Sequence, residues 1–248
     1  MSSQIQFPSR LPVRISPCPI VEAVFEARFV SSDTWATLPG LLFGHIRERY
    51  REQVDLPLQQ LPEQIRTQDP ALTHLPLLQF KGSTFIVQLG PRVISLVTRP
   101  RQYPGWPAIR EELGWLLPRL QAAGFVREPE RIGVRYIDFF GGDIFPNLCI
   151  GVQIDGQPLQ DSRTDLTTVL RFGPVSARLQ VTNGAIVAGE AGPQVGSVID
   201  LDAWVGPAEA DLFGRGLEQF GELHTVVKNV FFGLLKPDYL NQLNPVYP

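Results

Sequence analysis

The sequence predicts an α+β fold: an extended antiparallel sheet from two pseudo-repeated strand–meander–helix halves, with the helices packed on one face. Three observations carry that prediction. In residues 20–30, IVEAVFEARFV, Val21, Ala23, Phe25, Ala27 and Phe29 alternate with Glu22, Val24, Glu26 and Arg28. A period of two marks a strand with one dry face and one mostly wet face. Residues 131–140, RIGVRYIDFF, read as a second long strand. Two amphipathic segments, 107–123 and 208–235, are long enough to cover a sheet face.

The elements follow in order. Residues 1–19 hold four prolines and no periodicity, and read as an extended leader over the sheet. The first half spans 20–127. After its opening strand, Asp33 and Thr34 offer an N-cap for a helix over 35–52, with Leu38, Leu42, His45, Ile46 and Arg49 on one side. Residues 53–76, rich in Pro and Gln, read as a long irregular connection. Strands at 77–81, 84–89 and 92–98, separated by Gly82-Ser83 and Gly90-Pro91, make an antiparallel meander. The helix over 107–123 starts with Pro107 in its first turn and is capped by Gly124. Its stripe is Ile109, Leu113, Leu116, Leu117 and Leu120, and Pro118 predicts a kink or an early stop.

The second half spans 128–248, and the two halves are expected to form one continuous domain. After 131–140, residues 141–165 are rich in Gly, Pro and Asp around a short strand candidate at 149–154. Strands are expected at 166–172 and 175–182. Asn183-Gly184 then makes a two-residue hairpin returning as 185–188. A strand at 197–203 precedes the closing helix, 208–235. Leu212, Leu217, Phe220, Leu223, Val227, Val230, Phe231 and Leu234 form its apolar stripe, and Pro237 forbids continuation.

PIVEAVFEARF, the meander, the helix after YPGW and the terminal LHTVVKNVFFGLLKPDYL together resemble a sporadically distributed, uncharacterised family of prokaryotic proteins of about this length. The resemblance runs from Pro19 to Tyr247 and rests mainly on apolar positions. It implies a bacterial protein doing accessory work, of the defence or toxin–antitoxin kind. It implies no catalytic residue and no cofactor.

Composition narrows the function. The 248 residues are 44% hydrophobic and 19% charged, an ordinary globular balance. Net charge is −3, whereas a protein that neutralises many phosphates carries a basic excess, so nucleic acid is an unlikely partner. The two cysteines, Cys18 and Cys149, have no CxxC partners and point to neither zinc nor a disulfide framework. That usage fits a reducing cytoplasm. The first twenty residues hold no signal-peptide-like apolar run, and no stretch approaches the ~20 apolar residues of a membrane span.

A search for chemistry returns bland readings. His45, His74 and His224 show no metal spacing. His224 stands out because Lys228, one turn on, depresses its protonation if both are buried. Cys18 sits between two prolines, and Cys149 alternates with apolar residues and reads as packed. Asp200 and Asp202 share a strand face, from which a metal site or acid–base pair could be built; the blander expectation is that they face water or pair with Arg135 or Arg178 on neighbouring strands. Gly141-Gly142, the glycines at 189–192 and Gly214-Arg215-Gly216 match no phosphate-binding pattern. The cluster at 99–106, RPRQYPGW, reads as a turn packed by Tyr103 and Trp106.

The sequence therefore predicts a non-catalytic cytoplasmic binding or adaptor protein without cofactor or metal. Its partner is expected to be another protein chain, which includes a second copy of itself, docked on a wet sheet face carrying Glu22, Glu26, Arg28, Arg135 and Arg178. The alternative is a small-molecule sensor or enzyme with a pocket between the sheet and the C-terminal helix. His224, Lys228, Tyr136 and Asp138 are its candidate lining.

Overall fold

The computed structural model describes residues 10–158, 163–189 and 192–248. Along the chain come β1 (Ile20–Ser31), α1 (Leu38–Ile46), β2 (Glu52–Asp55) and, after a short 3-10 turn, α2 (Glu63–Gln68). Then come β3 (Leu78–Lys81), β4 (Phe85–Gly90), β5 (Val93–Thr98), α3 (Trp106–Ala123) and β6 (Val126–Gly141). A two-stranded ribbon, β7 (Gln153–Ile154) and β8 (Gln157–Pro158), precedes β9 (Asp165–Phe172), β10 (Val175–Gly189) and β11 (Gly192–Val205). The chain closes with α4 (Gly216–Leu234) and α5 (Pro237–Gln242). Among the described residues this is an α+β architecture with a nine-stranded antiparallel sheet, ordered β2-β3-β4-β5-β1-β6-β11-β10-β9.

β1 sits in mid-sheet because both of its edges are paired. Phe25 lies opposite Leu96 of β5 on one side and Val134 of β6 on the other. The period of two then does the sorting. Ala23, Phe25, Ala27 and Phe29 are at most 2% exposed, while Glu22, Val24, Glu26 and Arg28 stay half-buried on the opposite face. The Phe25 ring meets Trp106 of α3 at 5.9 Å, Tyr136 of β6 at 6.0 Å and Phe220 of α4 at 6.1 Å between centroids. Tilted and edge-on contacts of this kind suit the aromatic quadrupole. α4 packs on β6, β11 and β10, and α3 packs on α1 and α4.

Several elements differ from their sequence reading. The first helix is confined to Leu38–Ile46, and its cap residue Thr37 makes no side-chain cap bond. Asp33 is engaged elsewhere, accepting the Ser32 hydroxyl at 2.6 Å. His45 and Arg49 are exposed, so the buried stripe is Leu38, Leu42 and Ile46. The stretch read as an irregular connection holds β2 and α2, and the Leu56 N–H donates to the Leu77 carbonyl, extending the edge pairing. α3 runs through Pro118 to Ala123, where Gly124 takes the left-handed conformation (φ 77°) expected of a C-cap.

Asn183-Gly184 is not a hairpin. β10 passes straight through it with a register shift against β11 between Thr182 and Ala185. Asn183 is tied sideways, its N–H donating to the Thr164 carbonyl and its Oδ1 accepting the Thr164 N–H at 2.7 Å. Gly184 absorbs the bulge at φ 63°, a value side chains resist. Cys149 is exposed rather than packed, because its backbone docks on the end of α4, N–H to the Leu234 carbonyl. Only Gln153–Ile154 of the expected 149–154 strand pairs as one. The last helix begins at Gly216, because Asp211 accepts the Gly214 N–H at 2.8 Å and holds a turn before it. Residues 1–9 of the leader, 159–162 of the loop and positions 190–191 of the glycine stretch lie outside the described residues.

Replacing Phe25 by Ala should lower unfolding free energy by about 3–5 kcal/mol in urea titration. Replacing Val169, which is 51% exposed, by Thr should change it by less than about 0.5 kcal/mol.

Candidate functional site

Both faces of the β1–β6 region carry polar groups, and they differ in how well those groups are satisfied. On the outer face the strands bring Glu26, Arg28, Arg131, Arg135, Arg178 and Asp202 around a shallow depression of about 420 Å³. Arg131 bridges Glu26 and Asp202, each at 2.5 Å. It lies across Gly133, where a Cβ would meet its guanidinium at 2.5 Å, and its cation sits 5.2 Å from the Trp204 ring centre. Arg135 grips Asp200 with two bonds of 2.8 and 2.5 Å, which raises the Arg135 pKa further. Burial raises the Glu22 carboxyl, with Arg135 opposing the rise. The five residues expected to bind a partner therefore share one face, and Glu26, Arg28 and Arg135 are already ion-paired within the chain.

The inner face holds a deeper cavity of about 740 Å³. β6 supplies Tyr136 and Asp138, two residues apart and so on the same face. α4 supplies His224 and Lys228, one helical turn apart, and Trp106 lies at the start of α3. Residues 12–20 form a further wall. They are held there by the C-terminal segment: the Val13 N–H donates to the Val246 carbonyl and the Ser16 N–H to the Leu243 carbonyl. All four residues read from the sequence as a pocket lining meet in this cavity.

Tyr136 is the hub of the polar groups. Its hydroxyl is 2.9 Å from His224 Nδ1 and 3.4 Å from the Tyr103 hydroxyl. The His224 ring stacks on Trp106 at 4.3 Å with 11° between planes. Burial, with help from Lys228, lowers His224 to about 4, so the imidazole is neutral near pH 7. Burial raises Tyr103 to about 12 and Tyr136 well above its ordinary value. Asp138 is 2% exposed and has no hydrogen-bond or ion-pair partner among the described residues. Burial chiefly, and the Asp200 charge beyond it, raise its carboxyl from 3.8 to about 8. Cys18 is exposed but lines the same cavity, and partial burial raises its thiol too.

Every titratable group deep in this cavity is therefore held uncharged near neutrality. Neutral hydroxyl, imidazole and carboxyl groups offer hydrogen bonds to a bound molecule, and a protonated thiol is a poor nucleophile. The sequence reading missed Trp106, Tyr103 and the leader as parts of the site. The signal was present for Trp106, which stands three residues before Ile109 and seven before Leu113, on the inward stripe of its helix.

A third depression, of about 790 Å³, lies around Tyr50 and Gly82. Several of its charged groups are paired: Lys81 with Glu52, while Glu112 takes Arg49 at 2.6 Å and the Tyr50 hydroxyl at 2.9 Å. Among the described residues no three His, Cys, Asp or Glu side chains stand together as a metal site, and no helix is long and apolar enough to cross a membrane. No protein-family model matches this chain, and no curated protein matches its sequence.

The pKa shifts set opposite pH trends. His224 has a folded value below its unfolded one, so its contribution is present above pH 6.5 and is lost as pH falls towards 4. Asp138 has a folded value above its unfolded one, so stability declines as pH rises from 3.8 through about 8. Between pH 6.5 and 8 the wild type should lose about 1–2 kcal/mol relative to Asp138→Asn, read by urea unfolding at each pH.

Proposed function

We propose that this chain is a non-catalytic cytoplasmic binding protein that takes a small molecule into the cavity between the sheet and α4. The observation that supports this best is Asp138, a buried residue whose carboxyl has no partner among the described residues and opens on a cavity large enough for a metabolite. A carboxyl in so enclosed a place is best served by an occupant that hydrogen-bonds it. The neutral chain Tyr103–Tyr136–His224 adds fixed hydrogen-bonding groups, and Trp106, Phe231 and Phe232 add apolar wall. The reading includes an organisation in two related halves, with the helices on the inner face. Phe25 supports the placement of the helices, since residues of both α3 and α4 meet that one ring. The outer face is then left free.

A second role is compatible with that arrangement. Around the outer depression Arg28, Arg131 and Arg135 are paired with Glu26, Asp202 and Asp200, whereas Arg178 has no ion pair among the described residues and its Nε is sealed from solvent without a hydrogen-bond acceptor. An acidic surface of another protein chain would complement it, as an adaptor requires. Accessory work of the kind implied by the family resemblance needs no more than a ligand signal and a partner.

Native mass spectrometry on gently purified protein tests the main reading. The wild type should carry a small-molecule adduct that Trp204→Ala, on the outer face, retains and Trp106→Ala loses. An adduct held equally by both variants, or no adduct after incubation with a metabolite extract of the host, would overturn it.

A further inference from the structure

The cavity holds two opposite groups with no partner. Asp138 lies at its buried end on β6, and Lys228 lies half-buried on α4. Neither has a hydrogen bond or ion pair among the described residues, and they do not pair with each other. Arg14, exposed on the leader, adds a second cation on the side of the cavity that faces solvent. The same lining carries groups held uncharged near neutrality: the hydroxyls of Tyr103 and Tyr136, the thiol of Cys18 and the His224 ring.

We propose that the cavity binds a small molecule with an ammonium or amidinium group at one end and an anionic group at the other, Asp138 taking the cation and Lys228 the anion. The inference rests on the binding reading above and names the ligand's class. A carboxyl that only donated a hydrogen bond would be served equally well by an amide. An aspartate is the better choice when the occupant brings the compensating charge, because an unpaired buried carboxylate is costly and a paired, hydrogen-bonded one is not. The same logic applies to Lys228, whose partial burial lowers its pKa while no carboxylate among the described residues answers it. Trp106, Phe231 and Phe232 line the cavity and suit a frame that is apolar between its charged ends.

Matched probes test this on the full chain. 4-(Aminomethyl)benzoate carries both ends, benzylamine only the cation, 4-methylbenzoate only the anion, and 4-methylbenzyl alcohol neither. Affinities measured by calorimetry or protein-observed NMR should place 4-(aminomethyl)benzoate at least tenfold ahead of the other three. Asp138→Asn should bring it down to the level of 4-methylbenzoate, and Lys228→Gln to the level of benzylamine, with melting of both variants followed as a control. Replacing the probe's carboxylate by phosphonate distinguishes the kind of anion Lys228 prefers, and either preference supports the class. Equal binding of all four probes, or a preference for a single-ended one, would overturn the class while leaving the cavity a ligand site. Absence of binding by every probe, joined to absence of an adduct on the native protein, would overturn both readings.

Discussion

The pairing of β1 with β6 is the constraint on which the molecule depends. It joins the meander side of the sheet to the β9–β11 side through a run of backbone bonds from Ile20 to Ser31. Because side chains alternate, fixing that register fixes both faces at once. Ala23, Phe25 and Val134 go inward to the core. Glu26, Arg131 and Arg135 go outward to the charged ladder. A slip of one residue would bury the arginines and expose Phe25, so the alternative pairing is strongly excluded.

The same register decides the chemistry of the inner face. Val134, Tyr136 and Asp138 succeed one another along one side of β6. The first is core, the second is a hub that is buried but hydrogen-bonded, and the third is buried and unanswered. The transition along the strand coincides with the place where α4 and the leader, rather than close-packed side chains, form the cover. The cavity is thus where the sheet can carry a carboxyl and leave room for what neutralises it. Ion pairs on the outer face are, by contrast, largely closed among themselves.

How much of this was legible in the sequence follows from the range of the interactions. The alternation at residues 20–30 is local, and so is the stripe of α4, and both read correctly as elements. The pairing of Asp200 with Arg135 was legible once both lay on strands, since opposite charges on one face seek each other. The depressed protonation of His224 comes chiefly from burial, and only the smaller push from Lys228, four residues on, was legible. Asn183-Gly184 misled because its backbone preference suits a hairpin, and only the sideways bonds to Thr164 select a bulge. Asp33 misled because Ser32 captures the carboxylate that would have capped α1. The cavity's cover was illegible for a different reason. It depends on the leader meeting residues 243–246, some 230 positions away, and no local pattern encodes that contact. The orphan status of Asp138 was hidden too, because absence of a partner is a property of the assembled site.

Asp138 stays protonated near neutrality because it is buried and no group among the described residues answers it. A carbon-13 NMR titration of the Asp138 side-chain carboxyl in ligand-free protein measures this directly. The account predicts a midpoint at about 8. A midpoint at the ordinary aspartate value, near 4, would show the group already solvated or paired and would contradict it.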